Sequence, residues 1–269
     1  MTLKVKVFLY RFLMAATVLL LTYYLFNKGQ SFYDTPLEER FYHEDYQNLR
    51  ASGFFGHGLG VVGTLIITFG VWGYIYAKKT LRFEKYVRLK YLLEFHIFLC
   101  TIGPIMILFH TTFKFGGIVS IGFWSMVLVV ASGVVGRYIY VQIPRTLSGR
   151  ALTASEIQQK LIDILKEIGE LIQTEFKIDS ILSETAESNR IKSISDDINQ
   201  SSVSVSAKKK ARKLARRANT MLRRKKQLDK MQKLFSYWHI FHKPFAIIML
   251  VIVLVHIVAT VLMGYTWIF

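Results

Sequence analysis

Four histidines stand inside apolar sequence in two matched pairs. His96 and His110 are fourteen residues apart in the stretch Lys90–Lys114, KYLLEFHIFLCTIGPIMILFHTTFK, and His242 and His256 repeat that spacing near the C-terminus. In an α-helix fourteen residues rise ~21 Å and complete nearly four turns, so both imidazoles of a pair point to roughly one face at two depths. An ionisable group inside a membrane-spanning helix is costly and marks function. Neutral imidazole is a metal ligand, and two facing helices that offer one imidazole each to opposite sides of an iron provide bis-histidine ligation of haem. Taken in layers, His96 pairs with His242 and His110 with His256, which predicts two b haems at two depths.

The glycines share the period. Gly56 and Gly70 are fourteen apart in one apolar stretch, and Gly122 and Gly136 in another. A porphyrin lying against a helix needs backbone without a side chain at that level, which glycine provides. Read singly, each of these glycines is equally the small-residue packing common between membrane helices. Haem propionates call for cations at the membrane rims, and Arg137 and Lys243 serve on the cytoplasmic side, with Lys114 outside; each also reads as a snorkelling residue. Two further histidines leave the ligand set open. His57 competes with His256 for the outer layer, and His239, one turn before His242, competes for the inner one. Glu94 reads as an interfacial acid paired with Arg88 or Lys90. Pro104 is expected to kink its helix.

Positioning these residues falls to helices. Of the 269 residues, 52% are hydrophobic, in blocks long enough to span a ~30 Å hydrocarbon layer. The fold expected is an all-α membrane protein with five transmembrane helices, of which spans two to five form a four-helix bundle, plus a cytoplasmic helical hairpin. The divisions are a first anchor over 1–26, an extracytoplasmic loop over 27–54, spans two to four over 55–143, the hairpin with a serine-rich linker over 144–237, and the last span over 238–269. Within the hairpin, Ile157, Leu161, Ile164, Ile168, Leu171 and Ile172 recur at helical spacing. Leu214, Met221, Leu228 and Phe235 recur every seven residues along a basic segment, so the two helices are expected to pack antiparallel. Ser183–Ala207 between them reads as a flexible linker. The formal charge of +17 is explained by positive-inside flanks and a basic helix face rather than by nucleic acid. The charge balance of the loops places the N-terminus and hairpin in the cytoplasm and the C-terminus outside, in the inner membrane of a prokaryote.

The single cysteine, Cys100, excludes an intramolecular disulfide, covalent haem attachment through CxxCH and an all-cysteine metal centre. Nucleophile elbow, phosphate loop and HExxH are absent. The order glycine helix, His-x13-His helix, glycine helix, His-x13-His helix resembles the di-haem core of cytochrome b of bc and b6f complexes, and more loosely the membrane cytochromes of bacterial dehydrogenases and ferric reductases. The resemblance covers spans two to five and rests on spacing; the PEWY motif of the bc family is absent. It implies an electron-transfer subunit that passes electrons between redox partners, the quinone pool included. Those partners would be iron–sulfur, flavin or cytochrome c proteins, with a quinone as a further ligand and the basic hairpin as a dock. The alternative is a non-haem scaffold or transporter that uses the histidines for protons or metal.

Overall fold

A computed structural model describes residues 3–79, 89–143, 154–174 and 187–265. The described chain is helical and contains no strand among those residues. Helix α1 is Leu3–Asp34; a 3-10 turn, Arg40–Tyr42, and the one-turn α2, Tyr46–Leu49, lead into α3, Phe54–Lys79. Then come α4, Leu89–His110, α5, Gly117–Gln142, α6, Ala154–Ile172, α7, Glu187–Gln200, and α8, Val205–Leu262. Five helical stretches, Val5–Asp34, Tyr46–Lys79, Tyr91–His110, Gly117–Gln142 and Val205–Leu262, are long and apolar enough to cross a membrane. The chain is thus an all-helical protein whose long apolar helices are those of a multi-pass membrane protein. Arg88 and positions 183–186 of the serine-rich stretch lie outside the described residues.

Two compact units divide the chain: Met1–Gly133 with Phe241–Phe269, and Val134–Ile240. In the first, α3 and α4 pack most closely, and the glycines of α3 explain why. A Cβ on Gly63 would stand 2.9 Å from the Gly103 carbonyl oxygen, and one on Gly103 would stand 2.7 Å from the Gly63 carbonyl oxygen. The two backbones meet here, the small-residue contact that replaces hydrophobic driving force between membrane helices. Gly73, by contrast, faces open space within 4 Å. Gly103→Ala is therefore expected to lower the thermal midpoint of the solubilised protein followed by circular dichroism. Gly73→Ala should leave it unchanged or raise it, since alanine is favoured over glycine in helices by about 1 kcal/mol. Equal midpoints for both variants would overturn the close-approach account. Pro104 sits inside α4 without ending it.

One ion pair, with the acid buried and the arginine exposed, ties α1 to α4. Arg11 Nη2 lies 2.6 Å from Glu94 Oε1, and Glu94 is only 6% exposed. Arg11 is a charge inside the first apolar block, and a carboxylate within a span calls for a cation at its own depth; the side chains of Arg88 and Lys90, the partners expected for Glu94, lie outside the described residues. At the far end of α4, Thr112 and Phe113 take left-handed conformations, with φ of 51° and 59°, and the guanidinium of Arg40 closes over this turn. Arg40 donates to the carbonyl oxygens of Thr112 at 2.6 Å, Tyr33 at 2.7 Å and Thr35 at 2.8 Å. Its burial lowers its pKa from the ordinary arginine value, with Tyr33 opposing that shift.

The second unit has its own core. Leu161, Leu165, Ile168 and Ile172 of α6 meet Ala211, Leu214, Ala215, Ala218 and Leu222 of α8. Ile157 packs with Leu228, and Lys210 reaches Glu167, so α6 and α8 run antiparallel as their seams require. The segment expected to be a linker is different. Its described part contains α7, which buries Ile194 and Ile198 in this core. The serine-rich composition conceals isoleucines spaced four apart, enough to seat one helix face. Helix α8 continues through Pro244, so the basic segment and the last apolar stretch lie on one helix.

Candidate functional site

Three of the four paired histidines are oriented by hydrogen bonds to neighbouring helices. His96 Nδ1 lies 2.9 Å from the Gly70 carbonyl oxygen, and His110 Nδ1 lies 2.9 Å from the Gly56 carbonyl oxygen. A carbonyl only accepts, so both Nδ1 atoms carry the proton and both Nε2 atoms keep their lone pair. On α5, Ser132 Oγ lies 2.8 Å from the Val129 carbonyl oxygen and 2.7 Å from His242 Nδ1. A serine hydroxyl both donates and accepts, so this contact orients the His242 ring with either tautomer. Outer partners of this kind fix ring orientation in metal-ligating histidines and raise ligand basicity.

His110 is the hub of its layer. Its ring lies 6.4 Å from that of His256, with 61° between the planes, and 6.3 Å from that of His57, at 86°. A metal about 2 Å from a nitrogen of each ring separates two imidazole centres by roughly 6 Å. The His110 ring is seated on Gly60, where a Cβ would stand 2.9 Å from its Cγ. In the other layer, Tyr74 leans over His96 with ring centres 5.0 Å apart, and Cys100 Sγ is 3.7 Å from His96 Nδ1. His239 turns back on its own helix, with Nδ1 2.7 Å from the Phe235 carbonyl oxygen and its ring against Phe235 and Trp238. Unlike His242, it takes its partner from within α8. His43 stays in the loop between α1 and α2, with Nδ1 3.1 Å from the Asp45 amide nitrogen.

The four glycines expected to admit a porphyrin have protein neighbours. Gly56 and Gly70 supply the carbonyls that hold His110 and His96. A Cβ on Gly70 would touch Leu99 Cβ at 3.0 Å, and one on Gly122 would touch Ile252 Cγ2 at 2.8 Å. Gly136 lies under the indole of Trp238. Their shared period has a physical cause in α3: its two carbonyl acceptors must match the two donors of α4, one per imidazole. Of the rim cations, Lys114 and Lys243 are exposed, and Arg137 is half-buried near the Tyr140 ring at 6.0 Å.

Sequence reasoning missed Arg11, Arg40, Gly60 and Ser132. Arg11 had a signal, a lone charge in an apolar run; Gly60 was one glycine among many; Arg40 and Ser132 gain their meaning from partners distant in sequence. Among the described residues no three His, Cys, Asp or Glu side chains gather as a site for a bare ion. What the arrangement can do chemically is offer imidazole Nε2 atoms, one or two at a time, to a group that brings its remaining ligands with it. Comparison of the chain with protein family models, curated proteins and solved structures finds no match.

Proposed function

We propose that the chain is an integral membrane electron-transfer subunit with two b haems, crossing the membrane five times with spans two to five as a four-helix bundle. One observation carries this reading: His96 and His110 both donate Nδ1–H to α3 carbonyls fourteen residues apart, which leaves two Nε2 lone pairs at two depths. The donor set fits haem better than a bare ion, because a porphyrin supplies four nitrogens and needs only two axial imidazoles. His110 and His256 would hold one haem, their ring separation of 6.4 Å being close to the span of a bis-imidazole iron, and His96 and His242 the other. Bound there, haem supplies one-electron redox chemistry. The protein's share is to orient the imidazoles through Gly56, Gly70 and Ser132, to keep water out, and to offer Lys114, Lys243 and Arg137 to the propionates. His57 is the alternative outer ligand, and a quinone would bind at a rim.

Electrons would move between the two layers, to or from iron–sulfur, flavin or cytochrome c partners. The membrane would be the cytoplasmic membrane of a prokaryote, with the N-terminus and the helical hairpin inside and the C-terminus outside. The resemblance to cytochrome b supports the reading through the order of glycine and histidine helices. The test is optical. Protein purified from haem-replete cells is expected to show a reduced b-type α-band and two haems per chain by pyridine haemochrome. A colourless preparation would overturn it and favour a scaffold or transporter.

A further inference from the structure

Arg50, at the C-terminal cap of α2, buries its Nε without a hydrogen-bond partner among the described residues. The guanidinium leans on the Tyr46 ring, 5.6 Å from its centre, a contact that satisfies none of its N–H groups. Buried donors are nearly always paired, because an unpaired one forfeits its hydration and gains nothing in return. Acids are near in sequence, since Asp34, Glu38, Glu39, Glu44 and Asp45 share the loop. The ion pair found among them, however, joins Asp45 to His43 at 4.0 Å. Arg40, from the same loop, shows how the fold satisfies an arginine that it uses for itself, with three carbonyl acceptors. Arg50 Nε has none.

The place of Arg50 in the fold says which acceptor would suit it. A Cβ on Gly56 would collide with the Arg50 carbonyl oxygen and stand 2.8 Å from that of Leu49, so the end of α2 rests on the start of α3. Gly56 is also the residue whose own carbonyl accepts from His110 Nδ1 at 2.9 Å. The unpaired guanidinium is thus rooted against the residue that orients the His110 ring. Lys114, the cation expected for that layer, is exposed. A guanidinium is a planar fork that takes a carboxylate through two parallel N–H groups, and the carboxylates of a haem are its propionates. We propose that Arg50 binds a propionate of the haem held by His110, a proposal that rests on the haem reading. Nε and one Nη donate to the two propionate oxygens, which pairs the buried donor and balances the propionate charge. A lipid phosphate matches the same fork, and the test separates the two.

The His96→Ala chain, expected to keep only the haem of the His110 layer, is the background for the test. Resonance Raman spectra report the propionate directly, since its bending band rises in frequency with hydrogen bonding. Arg50→Gln is expected to move that band to lower frequency and to make the haem midpoint potential more negative, because losing a nearby cation favours ferric iron. Arg50→Lys keeps the charge and loses the fork, so the potential should return while the band stays displaced. Lys28→Gln removes a cation that lies 4.0 Å over the Phe55 ring and should leave the band in place. Equal pyridine haemochrome yields and unchanged circular dichroism show that the variants are intact. Should Arg50→Gln lose its haem, the band of Arg50→Lys decides alone: displaced, it supports the proposal, and unmoved, it overturns it. An unmoved band in Arg50→Gln overturns the proposal, as does an equal displacement in Lys28→Gln. Loss of co-purified anionic phospholipid from Arg50→Gln with the band unmoved assigns the fork to lipid phosphate and overturns it too. Absence of any dithionite-reducible absorbance in the parent overturns the haem reading beneath it as well.

Discussion

If the chain holds the two haems proposed, replacing His110 with alanine should halve the haem content, from two per chain to one. The other imidazoles of its layer, His256 and His57, both neighbour His110, at 6.4 and 6.3 Å between ring centres, so removing it takes away the ligand both alternatives share. The His96 layer, held through Gly70 and flanked by Tyr74, should keep its haem and its spectrum. His256→Ala is expected to have the same result and His57→Ala to retain both haems, which identifies the true partner. Ser132→Ala leaves every proposed ligand in place and removes the hydroxyl beside His242 Nδ1. Its effect should be a 10–100-fold weaker hold on the haem of the His96 layer, the usual loss for an outer partner of a metal ligand. The readout is haem per chain by pyridine haemochrome, with titration of added haem. Two haems retained in His110→Ala would remove the basis of the layer assignment.

Arg40→Met should be the most damaging substitution outside the histidines. The guanidinium is 6% exposed and bonds three backbone carbonyls, those of Tyr33 and Thr35 at the end of α1 and that of Thr112 just beyond α4. A hydrogen bond to a charged group contributes about 1.5–3 kcal/mol, and a buried carbonyl stripped of its donor costs a further desolvation penalty. The three bonds share one cation and are not additive, so a loss of roughly 3 kcal/mol is the expected scale. Lysine has a compact ammonium in place of a planar fork, and Arg40→Lys should recover only part of this. The site should respond too. Thr112 and Phe113 hold left-handed backbone immediately after His110, and loosening that turn frees the end of the helix that carries the ligand. The Arg40→Met variant is therefore expected to melt earlier and to lose haem from the His110 layer before the His96 layer. Unchanged unfolding and an unchanged spectrum would show the clamp to be idle.

The helices and their seams were legible because they depend on local pattern. Apolar blocks mark the long helices, and Ile157, Leu161 and Ile168 on α6 and Leu214 and Leu228 on α8 declare their buried faces by period alone. The histidine period was visible for the same reason. The purpose of the glycine period was not. Spacing says that Gly56 and Gly70 match His110 and His96; only the packing of α3 on α4 says that the match is made by carbonyl oxygens. Glu94 shows a related gap, since its partner Arg11 lies 83 positions away in the chain and nothing local points to it. Helix α7 was missed because polar residues outnumber the two isoleucines that seat it. Helix α8 runs through Pro244, since a long helix can absorb one missing hydrogen bond when its neighbouring turns remain intact.

The paired bonds from α4 to α3 also limit how this protein can vary. Each imidazole meets one carbonyl, His96 with Gly70 and His110 with Gly56, so the segments between them must be equal in length as well as helical. Adding or removing one residue in either segment would rotate one rung ~100° away from its acceptor while the other stayed in place. The helix pair has no room for an insertion or deletion between its rungs. Only in the connections outside these segments could length change and still leave the two histidines in register.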